Sequence, residues 1–219
     1  MRKAVLQKTY AALPPYDQHE ILRYAGAREA TDGQLQELLG ECIAACESVF
    51  TPRVCYTELT KAEFFEIFPQ SESARLWTKD CDRVIVFAAS VGLEIDRLVN
   101  RYASVSTAKA LLLQAIGAER IEALCDVFCA EQSARSAGRA VGRRFSPGYG
   151  DFPLTAQKEM FALLDPSKRI GVTLTDALLM SPTKSVTAAF GLKNSVCHSK
   201  TETRCDGCAQ KDCAYKKEN

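Results

Sequence analysis

The chain has 219 residues with 28 basic and 27 acidic side chains, and a formal charge of +1 supplies no broad positive field for non-specific nucleic-acid or anionic-membrane binding. A composition 47% hydrophobic and 25% charged is that of an ordinary globular domain and excludes disorder as the dominant state. No apolar run is long enough to cross a bilayer, and Met1 to Ala12 lacks the apolar block and cleavage site of a secretory signal, so a soluble, cytoplasmic protein is expected, with no nucleic-acid or membrane partner.

In chain order, Pro14-Pro15 followed by Ile21 and Leu22 predicts one short helix before Arg28. Thr31-Asp32-Gly33-Gln34 has the form of a capping box. Leu35, Leu38, Leu39, Cys42, Ile43, Cys46 and Val49 then recur at three-and-four spacing, predicting an amphipathic helix closed by Pro52. Arg53 to Leu59 reads as a strand from its β-branched and aromatic content, and Asp82 to Ala89 as a buried strand feeding a helix over Leu93 to Tyr102. The longest helical pattern runs from Ser106 to about Ser136. Leu111, Leu112, Ala115, Ile116, Ile121, Leu124, Cys125 and Phe128 mark its buried side, Glu119, Arg120, Glu122 and Asp126 carry charge, and Gly138 and Gly142 close it.

A loop dense in glycine, proline and aromatics follows from Arg143 to Pro153, then a helix to Leu164 stopped by Asp165-Pro166. Lys168 to Thr173 and Lys184 to Leu192 read as strands, with a helical turn over Thr175 to Met180 between them. Helices and strands alternate without a periodic βαβ signature. The expected fold is therefore α+β (mixed α/β), a single domain whose twisted, partly antiparallel sheet is flanked by helices. Its predicted divisions are an N-terminal helical segment (1–51), a core (52–192) and a cysteine-rich tail (193–219).

The loop Arg143-Arg144-Phe145-Ser146-Pro147-Gly148-Tyr149-Gly150-Asp151-Phe152-Pro153 is the most informative segment. Its prolines restrict the backbone, while its glycines permit positive φ and close approach of another molecule. Arg144 suits bidentate recognition of a carboxylate or phosphate, and Phe145, Tyr149 and Phe152 suit stacking on a flat ring or a cation. The competing reading is a rigid connection whose aromatics pack back onto the core. A phosphate loop is disfavoured because GxxxxGK[ST] is absent.

RFSPGYGDFP, preceded by CDRVIVFAASVGLEIDRLVNRY and followed by LLMSPTKSVTAAFGL, resembles the reactivation (activation) domain of cobalamin-dependent methionine synthase in its free-standing form, over roughly Pro52 to Leu192. The resemblance implies an activation domain-like fold and binding of S-adenosylmethionine. The implied activity is support of the reductive methylation that returns cob(II)alamin to methylcobalamin, with the cobalamin carried by a partner and the electron supplied by a flavodoxin- or ferredoxin-type donor. It also implies an accessory component of a methyltransferase rather than a stand-alone enzyme.

Carried over residue by residue, Arg144 matches the family arginine that contacts S-adenosylmethionine, and Ser146 a small residue whose backbone contacts the ligand. Phe145, Pro147, Gly148 and Tyr149 complete the implied cofactor-binding loop. Glu122 and Asp126, at i and i+4 on the long helix, fall near carboxylates that the family holds close to the cobalamin pocket, where they would orient water or modulate cobalt ligation. The alternative for this pair is a solvated charged stripe. Where the multidomain enzymes place a ligand-contacting tyrosine, this chain reads Pro182-Thr183-Lys184-Ser185-Val186-Thr187, without a tyrosine. The family's N-terminal aspartate contact has no placed counterpart. Methyl transfer from a sulfonium needs alignment rather than a general base, so the lack of a Ser-His-Asp or Cys-His constellation fits, and His19 and His198 do not supply one.

Four of the ten cysteines crowd into the tail: Cys197, Cys205, Cys208 and Cys213, a C-x7-C-x2-C-x4-C pattern among six basic residues. Four thiolates so spaced are enough for tetrahedral zinc or an iron–sulfur cluster, and nearby cations favour deprotonated thiols. Free thiols are the alternative. Two other functions compete with the first. One is a module that binds a corrinoid protein, with a tail cluster for redox work and no methyl-donor site of its own. The other, a plain S-adenosylmethionine-dependent methyltransferase, is weakened by the absence of a GxGxG-type strand-turn-helix.

Overall fold

A computed structural model describes residues 4–27, 33–69, 71–136 and 139–196. Strands β1 (Leu6–Thr9), β2 (Arg53–Thr60), β3 (Cys81–Ser90), β7 (Ser185–Val196) and β4 (Arg139–Val141) form one sheet in that order. Every pairing in it is antiparallel, with Tyr56 opposite Phe87, and Phe87 opposite Ala188. Strands β5 (Thr173–Leu174) and β6 (Met180–Ser181) make a separate small hairpin.

Alternation along the central strands feeds two cores. Ile85, Phe87 and Ala89 of β3 join Val54 and Tyr56 of β2 and Ala188 and Phe190 of β7 on one face. Val84, Val86 and Ala88 join Cys55, Leu59 and Ala189 on the other. The first face is covered by α1 (Gln18–Tyr24), α2 (Gly33–Ala45), α5 (Glu94–Ala103) and α6 (Thr107–Arg135). The second is covered by α3 (Lys61–Ile67), α4 (Glu72–Trp77), α7 (Ala156–Leu164) and α8 (Pro166–Ile170). The result is three layers with the antiparallel sheet in the middle.

Several expectations need correction. The segment 1–51 shares the sheet and the core of the rest: β1 pairs with β2, and Ile21, Leu22, Leu39 and Cys42 enter the first core. Helix α2 ends at Ala45 and turns carry the chain on to Pro52, while its capping-box residues Thr31 and Asp32 lie outside the described residues. Lys168 to Thr173 is not a strand. Pro166 presets the first helical turn and Gly171, at φ 73°, ends it, so the apolar Ile170 and Val172 that imitate a strand flank a helix end. Thr175 to Leu179 forms the turn of the β5–β6 hairpin, closed by Leu178 N–H to Thr175 O at 2.9 Å, and Met180 begins β6.

Helix α6 is also wetter and drier than its pattern suggests. Of the run Leu111-Leu112-Leu113, the last two are buried and Leu111 is half exposed, because residues 100° apart cannot all face one core. Glu119 and Arg120, expected on a charged face, are 5% and 3% exposed.

Candidate functional site

The arginine-bearing segment is an extension of the sheet edge. After β4, Gly142 N–H donates to Gly191 O at 2.8 Å, and Phe145 exchanges both backbone hydrogen bonds with Ala189 of β7 at 2.9 and 2.8 Å. A side chain at Gly142 would meet the Gly191 carbonyl at 3.2 Å, so the close approach uses the missing Cβ. Alternation then sends neighbours to opposite faces. Phe145 turns to the second core, and Arg144 turns to α6 on the first.

There the Arg144 guanidinium meets two carboxylates one helical turn apart. Its Nη2 donates to Glu122 Oε2 at 2.9 Å and lies 2.8 Å from Asp126 Oδ1. Arg144 is 16% exposed, Glu122 33% and Asp126 69%. Burial opposes the guanidinium's charge, but the Glu122 and Asp126 carboxylates beside it favour the charged form and its pKa is raised, so Arg144 is a permanent cation. Burial pushes the neighbouring Cys129 thiol up to about 12 despite Arg144, which leaves it a neutral wall of the site. Tyr24 of α1 closes another side, its phenol pushed up to about 12 by burial and then by the Glu122 carboxylate.

Beyond Phe145 the loop folds over the other face and is fixed there. Ser146 O accepts from Tyr149 N–H at 3.1 Å, Tyr149 O from Phe152 N–H at 3.0 Å and Phe152 O from Gly148 N–H at 2.8 Å. Gly148 and Gly150 supply the positive φ, 94° and 58°, that these turns require. The Phe145 ring sits 4.9 Å from Trp77, 5.9 Å from Phe64 and 5.7 Å from Phe152 between centroids. Phe145 and Phe152 are 3% and 1% exposed, so their rings belong to the core and do not stack on a ligand. Tyr149, 66% exposed, is the loop's free aromatic. Pro147 is buried, Ser146 partly exposed and Gly148 exposed.

Asp151 was not legible as a structural residue. Its carboxylate accepts from Ser71 Oγ at 2.8 Å, Glu72 N–H at 2.7 Å and Ser73 N–H at 3.0 Å, tying the loop to the first turn of α4. Those bonds, Ser71's first, hold its pKa down at about 2. The sequence signal was the serine pair of Ser71-Glu72-Ser73, ready to start a helix.

The Pro182–Thr187 segment runs against α5 and α6. Asp96 accepts from Thr183 N–H at 2.7 Å and Thr183 Oγ1 at 2.6 Å, and the Lys184 stem crosses α6 at Gly117, where an added Cβ would sit 2.9 Å from it. Two cavities, of about 640 Å³ between α3, α7 and α8 and about 400 Å³ beside Tyr56 and Gln132, are lined without Arg144 or its loop. Neither of these hollows is the arginine site, which stands at the edge of the sheet. Among the described residues no group of three or more His, Cys, Asp or Glu is placed to hold a metal. Cys197, Cys205, Cys208 and Cys213 lie outside the described residues. No described helix is long and apolar enough to cross a membrane.

The fold is that of a methionine synthase reactivation domain: the chain is similar to the crystal structure of the MetH reactivation domain bound to AdoHcy, with a TM-score of 0.59 at 15% identity, over 90% of this chain and 81% of that one. Residues 131–198, which carry the end of α6, β4, the loop and β7, match the family described as vitamin B12 dependent methionine synthase, activation domain. The chain thus has the reactivation-domain fold, and its similarity to the activation-domain family lies in that C-terminal part. The family match covers about a third of the chain and includes Arg144 and its whole loop.

Proposed function

We propose that this protein binds S-adenosylmethionine at the Arg144 edge and docks on a cobalamin-carrying methionine synthase, or another corrinoid protein, to support reductive methylation of cob(II)alamin. The observation that carries the reading is Arg144 itself, a largely buried permanent cation at a sheet edge and inside the matched region. Arg144 receives the ligand's carboxylate, backbone groups of Phe145, Ser146, Pro147 and Gly148 line its path, and the Tyr149 ring faces the adenine or the sulfonium. Glu122 acts on the ligand through Arg144, whose guanidinium it orients, and Asp126 pairs with the same guanidinium in the unliganded protein.

Held at Arg144, S-adenosylmethionine would supply the methyl group, and the cobalamin of the partner, reduced by one electron from a flavodoxin- or ferredoxin-type donor, would accept it, leaving S-adenosylhomocysteine. This chain contributes position. Holding donor and acceptor in line is worth on the order of 7 to 11 kcal/mol. A sheet edge suits that task, since the donor carbon has to be presented outward to a second molecule.

Anaerobic calorimetry with S-adenosylmethionine tests the reading. Binding is expected in the wild type, at least tenfold weaker in Arg144→Ala, and weakened in Arg144→Lys, which keeps the charge without the planar fork. The matching assay follows conversion of cob(II)alamin to methylcobalamin by a synthase core with reductant and ligand. No binding by the wild type, or no acceleration by the added protein, overturns it.

The four terminal cysteines extend the proposal: Cys197, Cys205, Cys208 and Cys213 hold zinc or an iron–sulfur cluster. Elemental analysis of protein purified without air is expected to give one zinc, or iron with acid-labile sulfide and a visible absorbance, lost in Cys205→Ser with Cys208→Ser. Neither metal in the intact chain rejects the assignment.

A further inference from the structure

Arg144 is not waiting empty for a carboxylate. Its Nη2 already faces Glu122 at 2.9 Å and Asp126 at 2.8 Å. Nη1 is buried without a hydrogen-bond partner, so a carboxylate arriving from solvent is received on the Nη2 side, where those two stand. Three carboxylates around one guanidinium would leave two uncompensated negative charges within a few ångströms, an arrangement that expels one of them. The two candidates for expulsion differ in exposure. Glu122 is 33% exposed and stays enclosed beside Tyr24 and the α6 surface, whereas Asp126 is 69% exposed and re-enters water by a side-chain rotation.

We propose that Asp126 is an internal substitute for the ligand's carboxylate, pairing with Arg144 in the unliganded protein and yielding its place when the ligand binds. This rests on the reading of Arg144 as a carboxylate clamp and adds a specificity device to it. Between ligands the guanidinium stays paired, charged and fixed in direction. A ligand gains the site only if it brings a carboxylate that replaces the one lost, so an analogue with the same adenosyl and sulfonium parts but no carboxylate leaves Asp126 where it is.

The test is calorimetry on the full chain with S-adenosylmethionine and with its decarboxylated analogue, for wild type, Asp126→Asn and Asp126→Glu. Asp126→Asn removes the competing charge and is expected to tighten S-adenosylmethionine about two- to fivefold, the worth of an exposed ion pair, and to leave the decarboxylated analogue unchanged. Asp126→Glu retains a competing carboxylate and is expected to stay near wild type. Wild-type binding with no gain in Asp126→Asn, or an equal gain for both ligands, overturns the Asp126 assignment and leaves the reading of Arg144 standing. Absence of any wild-type binding overturns that reading and the assignment with it. Asp126 lies on the helix surface, and an unchanged circular dichroism spectrum confirms that the variants fold.

Discussion

At the scale of single residues, the loop is held by Asp151 on one side and by two phenylalanine rings on the other. The depressed pKa of Asp151 makes the first of these pH-dependent. Its carboxylate is about 2 in the folded protein against an ordinary value near 4, so its contribution is complete above about pH 4 and is lost as pH falls toward 2. The single tryptophan reports the change, because Trp77 ends α4 and stacks 4.9 Å from Phe145. Trp77 emission is expected to shift between about pH 4 and 2 in the wild type, and Asp151→Asn to show the low-pH emission already at pH 7. An emission that ignores both acid and the substitution would mean the loop is held without Asp151. The sequence showed this loop to be shaped, since its prolines and glycines are local signals. Which rings turn inward was not legible, because a turn-rich segment has no period from which to assign faces. The pairing of Phe145 with Ala189 settles that instead.

At the scale of elements, α6 shows where periodicity misleads. Glu119 and Arg120 look like part of a solvated stripe, yet they form a buried ion pair. The chain between β1 and α1 crosses over them: Arg120 donates to Pro14 O at 2.6 Å and Pro15 O at 3.1 Å and lies 4.2 Å from the Tyr16 ring, while Glu119 accepts from Asp17 N–H at 3.3 Å. No periodic rule anticipates a cover supplied by residues a hundred positions earlier. Removing one partner leaves a buried charge uncompensated, so Glu119→Ala is expected to cost about 3 to 5 kcal/mol in urea denaturation, whereas Asp126→Ala, at the surface, costs less than about 1. Equal effects would show that the crossing segment shields nothing. Helices α3 and α4 went unpredicted for another reason. At seven and six residues they are too short to show a stripe, and their existence depends on caps, Thr60 with Glu63 for the first and Ser71 for the second.

At the scale of the whole molecule, continuous apolar runs such as Val84 to Ala89 are what a strand covered on both faces requires, and such runs are commoner in parallel sheets. Here the sheet is antiparallel and still covered twice, so the sequence supported a mixed sheet while the pairings are antiparallel throughout. Six cysteines pack into or against the covering layers and the sheet. Cys42, Cys46, Cys55, Cys81 and Cys125 are buried and Cys129 nearly so, and burial raises every one of these thiols, Cys46 and Cys55 to about 12, which marks them as packing residues distinct from the terminal four. The strand order β1-β2-β3-β7-β4 also has a consequence in time. During synthesis β4 and the loop emerge before the strand they pair with. At roughly 5 to 20 residues per second, the stretch from Phe145 to Ala189 takes about 2 to 9 seconds to make, and until then Arg144 has no frame to hold it against Glu122. A nascent chain stopped short of β7 would carry every side chain around Arg144 and no edge to hold them.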